Sequence, residues 1–186
     1  VAFDTIFVKD APVADVLLSG DSILCNNESI TLSASRPADR YLWSTGATTR
    51  SITVSEGGVY TLELFLNNGC SYRTQSARII KVPTKPAPPV LLETIQVGDQ
   101  EISGTVTPGP IPPTIIYAYI NGQESGSTRL NNLETNWKVQ LSRPLEAGDE
   151  VYVRALFDTN CDGEVNASDV LSDPSNTVSL DKDVVI

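Results

Sequence analysis

Short runs of alternating apolar and polar residues, separated by turns, constrain the fold of this chain more than any other feature. Residues 29–34, 51–54, 59–66, 114–120 and 150–157 are such runs. Their period of two is that of a β-strand with one face buried. Gly, Asn and Pro lie between the runs, and no window has the period of an amphipathic helix. The sequence therefore predicts an all-β chain of immunoglobulin-like antiparallel β-sandwiches.

The length of the chain and one proline-rich segment predict two tandem domains. The chain has 186 residues, which suits two domains of about 90 residues each. Four prolines within residues 83–89 predict an extended, semi-rigid linker. We expect one sandwich over residues 13–85 and a second over residues 86–186. Residues 1–12 are predicted to form an extended strand, either from a preceding repeat or pairing with another chain.

Composition excludes several classes of function. Lys and Arg total 13 against 23 Asp and Glu, so a net charge of -10 disfavours nucleic acid and anionic membranes as partners. The apolar runs are too short for direct membrane insertion. The chain has no His, which removes the commonest general base and the Ser–His and Cys–His nucleophile pairs, so we expect no enzyme. It also has no Met and no signal peptide, and we expect a processed or excised fragment.

Three cysteines allow one disulfide and one further thiol. Cys25 precedes one predicted strand and Cys70 follows another, and these two are the predicted bridge. It would close a loop of about 45 residues, worth roughly 4 kcal/mol in the chain-entropy model. Cys161 is then either a solvent-facing thiol or the site of an intermolecular bridge.

Residues 158–169 fit the spacing of a twelve-residue calcium loop. Gly163 stands at the sixth position, where such loops turn, and Val165 at the apolar eighth. Ala167 to Leu171 could form one helical turn capped by Asn166. The alternative is an acidic surface turn that happens to fit. The predicted Ca²⁺ ligands are side-chain oxygens and, at the seventh position, a backbone carbonyl; they belong to Asp158, Asn160, Asp162, Glu164, Asn166 and Asp169.

Two stretches of sequence resemble known extracellular repeats. Cys25, the segment from Tyr41 to Gly46 and the Asn68-Gly69-Cys70 end make residues 17–82 similar to the PKD-like immunoglobulin repeat of Bacteroidetes surface proteins. Motifs around Gly104, Asn121-Gly122 and residues 145–153 make residues 88–182 resemble bacterial Ig-like adhesin repeats. The wording of residues 158–169 resembles the dockerin calcium loop, without the second loop or the cohesin-binding helices of a dockerin.

These resemblances imply a non-catalytic stalk or adhesin module at the cell surface, such as a type IX secretion substrate, stiffened by calcium. Its partners would be neighbouring domains or subunits of the same assembly. Asp4-Thr5 and Asp21-Ser22 resemble a Bacteroidetes O-glycosylation motif, which makes Thr5 and Ser22 candidate modification sites. Two alternatives remain open: a filament subunit that exchanges a terminal strand, and a carbohydrate-binding module of a secreted enzyme.

Two further residue groups have a candidate function and a simpler interpretation. Tyr117, Tyr119, Tyr152 and Trp137 could form a sugar-stacking face, but aromatic residues on strands usually pack, and Trp137 is expected in the core. Glu146, Asp149 and Glu150 could be proposed as glycosidase carboxylates. They cluster in one turn with no cleft between them, so we expect a solvated turn.

Overall fold

The computed structural model describes residues 16–19, 23–25, 28–67, 69–74, 76–92 and 94–181. The candidate modification sites Thr5 and Ser22 and the predicted strand at residues 1–12 lie outside these ranges. The chain divides into two compact units, Val1–Lys81 and Val82–Ile186. The division falls at the start of the proline-rich segment, whereas the sequence placed it near Pro86. Among the described residues, no helix is long and apolar enough to span a membrane.

The described part of the first unit contains nine short strands. They are β1 (Val16–Ser19), β2 (Ile23–Leu24), β3 (Ile30–Ala34), β4 (Arg40–Trp43), β5 (Ser51–Val54), β6 (Gly58–Tyr60), β7 (Leu62–Phe65), β8 (Ser71–Arg73) and β9 (Ala77–Lys81). They pair in the orders β1-β3-β5, β4-β7-β8 and β2-β9-β6. Only one residue separates β6 from β7, so the chain passes directly from the β2-β9-β6 group into the β4-β7-β8 group. The pair β2–β9 is parallel, an exception to the predicted antiparallel pairing.

Alternating burial in these strands places one core inside the first unit. Ile30, Leu32 and Ala34 of β3 are buried, as are Leu62 and Leu64 of β7, and all five belong to one apolar cluster. Trp43 belongs to the same cluster and is only 2% exposed, which confirms its predicted position on an inner face. Its indole Nε1 donates a 2.8 Å hydrogen bond to the carbonyl of Thr49, so the buried N–H has a partner.

The cysteines of the first unit differ from the prediction. Cys25 is disulfide-bonded, but Cys70 lies exposed in the turn between β7 and β8. Cys25 follows β2, which pairs with β9, whereas the Cys70 carbonyl accepts a hydrogen bond from Leu66 N–H at the end of β7. The predicted Cys25–Cys70 bridge is therefore wrong. Both residues border strand ends in the sequence, but those strands are not paired with each other.

In its described residues, the second unit is a three-stranded sheet packed on a four-stranded one. Its strands are β10 (Val90–Leu91), β11 (Glu101–Thr105), β12 (Thr114–Ile120), β13 (Gln123–Leu130), β14 (Asn136–Gln140), β15 (Glu150–Phe157) and β16 (Val178–Ser179). The sheet orders are β10-β11-β14 and β13-β12-β15-β16, and every pairing within them is antiparallel. This arrangement is an immunoglobulin-like sandwich.

Each sheet of the second unit contributes one face to a shared core. Ile116, Ala118 and Ile120 of β12 are buried, while Tyr117 and Tyr119 between them are half-buried on the other face. Trp137 of β14 is in the core cluster, as predicted. The Asn121-Gly122 hairpin is confirmed, because both residues have positive φ, 51° and 81°. The outer face of the four-stranded sheet thus carries the tyrosines.

Candidate metal centre

The acidic loop begins where β15 ends and is held there at both ends. Asp158 directly follows β15. Beyond the loop, Ser172 N–H donates to the Ala155 carbonyl at 2.9 Å, and the Ser172 hydroxyl accepts a hydrogen bond from Ala155 N–H at 2.9 Å. Ser175 makes the same two contacts with Val153, at 2.8 and 3.0 Å. The return segment therefore runs along β15, although the sequence predicted no pairing for it.

The two end residues of the loop are its most buried carboxylates. Asp158 is 2% exposed and Asp169 is 9% exposed. Asp169 Oδ1 accepts hydrogen bonds from Thr159 N–H at 2.8 Å and from the Thr159 hydroxyl at 3.2 Å. Its Oδ2 accepts one from Asn166 N–H at 2.9 Å. The closing residue is thus fixed against the first turn of the loop, and Thr159, which the sequence did not single out, helps to hold it.

Three of the four predicted ligands between these ends accept a hydrogen bond from the backbone N–H two residues further on. Asn160 Oδ1 accepts from Asp162 N–H at 3.0 Å, and Asp162 Oδ1 accepts from Glu164 N–H at 2.9 Å. Asn166 Oδ1 accepts from Ser168 N–H at 2.8 Å. These are Asx-turns. Asn160 Oδ1 and Asp162 Oδ1 each keep a second lone pair available, whereas Asn166 Oδ1 also accepts a hydrogen bond from the Ser168 hydroxyl at 2.6 Å.

Backbone conformation agrees with a tight loop. Gly163 has a φ of 91°, which the missing Cβ allows, and its N–H donates to Asp158 Oδ2 at 3.0 Å. Residues 167 and 168 form a turn and no helix, so the predicted helical turn at Ala167 to Leu171 is wrong. Asn166 nevertheless caps this turn through the bond to Ser168 N–H.

One buried carboxylate oxygen of the loop accepts no hydrogen bond from the described residues. Asp158 Oδ1 is buried and has no hydrogen-bond partner in the part of the chain that the structure describes. Buried carboxylate oxygens are normally paired, because desolvation without a partner costs free energy. A bound cation would satisfy this oxygen.

One carboxylate of the loop, that of Asp162, is favoured in its ionised form by its hydrogen bonds. The hydrogen bond from Glu164 N–H lowers the pKa of Asp162 below its ordinary value of 3.8, and bonds from the amides of Asn160 and Asn166 lower it further. Asp162 is exposed, in contrast to Asp158 and Asp169. An ionised oxygen donor is what a hard divalent cation requires.

The described residues contain no group of three or more His, Cys, Asp or Glu side chains arranged to hold a metal ion. A site in this loop would therefore need neutral oxygens, from Asn160, Asn166 and the Glu164 carbonyl, in addition to carboxylates. Calcium accepts such mixed donor sets of six to eight oxygens. The residue types present therefore fit calcium better than zinc.

Of the two alternatives that the sequence left open for Cys161, a solvent-facing thiol or an intermolecular bridge, the structure excludes the first. Its side chain is disulfide-bonded, and its backbone has a φ of 58°, which is uncommon for a residue with a Cβ. The fourth position of the loop is therefore fixed covalently as well as conformationally.

The acidic turn before β15 was expected to be solvated, and at Asp149 this is wrong. Asp149 is only 4% exposed. Its carboxylate accepts hydrogen bonds from both terminal nitrogens of Arg143, at 2.7 and 2.8 Å, and from Asn121 Nδ2 at 2.8 Å. Its Oδ2 also accepts from Glu146 N–H at 2.8 Å. The group is a structural ion pair that joins the turn to the β12–β13 hairpin.

Comparison with known proteins adds only weak similarities. No protein-family model matches the chain, and no curated protein matches it. A biofilm-associated protein BSP domain is similar at 16% identity and a TM-score of 0.38, over 92% of this chain and 30% of that one. The human OSCAR ligand-binding domain has 12% identity, a TM-score of 0.44 and coverage of 91% and 98%. Fibronectin(III)-like modules of Clostridium thermocellum CbhA have 15% identity, a TM-score of 0.33 and coverage of 92% and 90%.

This chain spans less than a third of the biofilm-associated chain. Similarity at these identities and TM-scores supports no conclusion about function. The sandwich architecture rests on the strand pairings of the chain itself. The PKD-like, adhesin-like and dockerin-like resemblances stay predictions from the sequence.

Proposed function

We propose that this chain is a non-catalytic structural or adhesive module of a secreted, multidomain surface protein, and that its second sandwich binds Ca²⁺ in residues 158–169. The buried, unpartnered Asp158 Oδ1 is the observation that carries the calcium proposal. It lies in a loop whose glycine, Asx-turns and closing Asp169 follow the calcium-loop spacing. An acidic surface turn without an ion would give no reason for burying this oxygen.

Calcium would act here by neutralising repulsion and by ordering the loop. Asp158, Asp162 and Asp169 bring three carboxylates into one short segment, where they repel one another. A divalent cation between the carboxylates would attract each of them and would thereby link the end of β15 to the segment that returns along it. Binding to the folded state alone would then stabilise the sandwich by mass action.

The proposal that the chain is not an enzyme rests on its composition and on the surroundings of Asp149, the carboxyl group whose pKa is strongly lowered. The chain has no His. The strongly lowered pKa of Asp149 is explained by Arg143, so this group serves the fold and is not free to act as an acid or base. Perturbed carboxyls of this kind occur in structural ion pairs as well as in active sites.

A secreted location and partners in the same surface assembly complete the proposal. Disulfide-bonded cysteines favour an oxidising compartment, and Cys25 and Cys161 are disulfide-bonded. The strand-exchange alternative depends on residues 3–8 and 183–186, which lie outside the described ranges. Size-exclusion chromatography of the chain with and without residues 1–10 tests that alternative.

Calcium should raise the thermal stability of the full chain. For a dissociation constant of about 0.1 to 1 mM, 10 mM Ca²⁺ should add about 1.4 to 2.7 kcal/mol relative to EDTA, which is several degrees in Tm. Differential scanning calorimetry in CaCl₂, MgCl₂ and EDTA measures this. Equal transitions in CaCl₂ and EDTA would contradict the calcium proposal.

Two variants of exposed residues separate metal ligation from general charge effects. Asp162→Ala removes a predicted side-chain ligand and should abolish the calcium-dependent rise in Tm. Glu164→Gln removes a charge two residues away but keeps the backbone carbonyl that is the predicted ligand, so it should retain most of the rise. If both variants lost the same amount, the effect would be nonspecific screening.

A further inference from the structure

The outer face of the four-stranded sheet forms a groove with the second half of the acidic loop. The groove has a volume of about 360 Å³, within the range of small-molecule sites. Its sheet wall comes from β12, β13 and β15, and its loop wall from the segment that follows Val165. The lining residues are Tyr117, Tyr119, Glu124, Leu156, Asn166, Ala167, Asp169 and Leu171.

A pair of tyrosines gives the sheet wall a rigid aromatic surface. Tyr119 and Tyr152 are directly opposite in the β12–β15 register, and their rings stack with centroids 5.0 Å apart and planes 9° from parallel. Tyr152 covers one face of the Tyr119 ring. Tyr119 lines the groove and Tyr152 does not, so Tyr119, together with Tyr117, is the part of this aromatic surface that a ligand in the groove would meet. Because the stack fixes the ring, a ligand would bind it with little loss of side-chain entropy.

Hydrogen-bonding groups surround this aromatic surface. Glu124 is paired with Tyr119 across the β12–β13 register, and Asn166 lies on the loop wall. Burial, together with the charge of Glu124, raises the pKa of Tyr119 above its ordinary value of 10.0, so its hydroxyl remains a neutral donor and acceptor. A carboxylate, an amide and a phenol beside an aromatic face match the mixed surface of a sugar, with C–H groups on its ring and hydroxyls around it.

The charge of the groove selects among saccharides. Glu124 and Asp169 both line it, whereas Arg154, the cation opposite Tyr117 in the β12–β15 register, is not among the lining residues, and the chain has a net charge of -10. A carboxylated or sulfated sugar would be repelled, whereas neutral hydroxyls can donate hydrogen bonds to these carboxylates. We propose that the groove between the Tyr117–Tyr119 face and residues 166–171 binds a neutral saccharide.

This proposal goes beyond the calcium proposal and does not depend on it. The sheet wall belongs to paired strands, and only the loop wall contains predicted calcium ligands, Asn166 and Asp169. If calcium orders the loop, saccharide binding should be several-fold tighter in CaCl₂ than in EDTA. Saccharide binding of equal strength in both would leave the groove assigned and would count against the calcium proposal alone.

The test is a titration of the isotope-labelled full chain with neutral disaccharides, namely cellobiose, maltose, lactose and mannobiose, followed by amide NMR shifts in CaCl₂ and in EDTA. At least one should shift the amides of Tyr119, Glu124 and Ala167 together. A glucuronic acid-containing disaccharide is the charged comparison and should bind at least several-fold more weakly than the best neutral one.

Matched variants assign the contact to the aromatic face. Tyr119→Ala should weaken the best disaccharide at least tenfold, whereas Tyr119→Phe keeps the ring and should bind within a few-fold of the unmodified chain. The spectra themselves report whether each variant is folded. No groove shift with any neutral disaccharide at 20 mM, undiminished binding by Tyr119→Ala, or groove shifts only with an extended peptide would overturn the proposal.

Discussion

Asp149→Ala should destabilise the second sandwich by about 3 kcal/mol, more than a typical surface substitution. The Asp149 carboxylate accepts four hydrogen bonds, two from Arg143, one from Asn121 and one from the Glu146 N–H. Removing it leaves donors in a buried position without an acceptor. The Arg143 side chain is 37% exposed, so water can partly satisfy it, and the loss belongs at the low end of the range for buried pairs.

Urea unfolding of the full chain, with a probe of the second unit such as Trp137 fluorescence, measures this loss. Glu150→Ala is the control, because Glu150 is the next carboxylate in the chain and is exposed. It should change the unfolding midpoint little. A midpoint for Asp149→Ala that equals that of Glu150→Ala would show that the ion pair contributes nothing to stability.

The same carboxylate predicts a dependence of stability on pH. The hydrogen bonds from Arg143 hold the pKa of Asp149 far below its ordinary value of 3.8. Because the folded-state pKa is the lower one, the unfolded chain binds this proton first as pH falls. The contribution is complete above about pH 5 and is lost progressively as pH falls below 4 toward the folded-state pKa. Asp149→Asn should therefore lose less stability between pH 5 and pH 2 than the unmodified chain does.

Gly104→Ala should cost about 3 kcal/mol or more, although the change adds one methyl group. Gly104 lies in β11 between its partners Leu91 of β10 and Trp137 of β14. A Cβ at this position would overlap the Val90 carbonyl oxygen and the Trp137 ring. The carbonyl belongs to the backbone of an edge strand, so it can give way only if β10 moves off the sheet.

Chemical denaturation of Gly104→Ala against Ser103→Ala tests this prediction. Ser103 is the neighbouring residue on the opposite face of β11 and is half-buried, so a small side chain there meets no comparable obstacle. Hydrogen exchange at the amide of Leu92, which donates to the Ser103 carbonyl at 3.0 Å, should accelerate in Gly104→Ala. Equal stability of the two variants would mean that β10 is not packed as closely as the structure shows.

The sequence predicted the strands well because their signal is local. Alternation in residues 114–120 is sufficient to put Ile116, Ala118 and Ile120 on one face and Tyr117 and Tyr119 on the other, and the structure shows that the first face is the buried one. The Asn121-Gly122 hairpin likewise depends on two adjacent residues. The acidic loop could be recognised for the same reason, since its predicted ligands are spaced within one short segment, and calcium binding there stays a prediction.

The contacts that the sequence did not predict join residues far apart in the chain. Cys25 and Cys70 both border strand ends, but which ends lie together depends on sheet order, which alternation does not encode. Asp149 looked like one of several acidic turn residues, because its burial depends on Arg143 and on Asn121 of a distant hairpin. The pairing of Ser172 and Ser175 with β15 could not be predicted from alternating apolar residues. The serine hydroxyls accept the hydrogen bonds from β15 that the carbonyls of a partner strand would otherwise accept.

The hydrogen bonds of Ser172 and Ser175 to β15 hold the chain on the sheet at points outside residues 160–168. The Ser172 contacts with Ala155 and the Ser175 contacts with Val153 fix the chain on β15 before it reaches β16, so these hydrogen bonds do not involve residues 160–168. Residues 160–168 could be exchanged for a segment of other length or chemistry while both anchor points stay in place. The second sandwich therefore offers a site for inserted segments in this loop, next to the groove that Tyr117 and Tyr119 line.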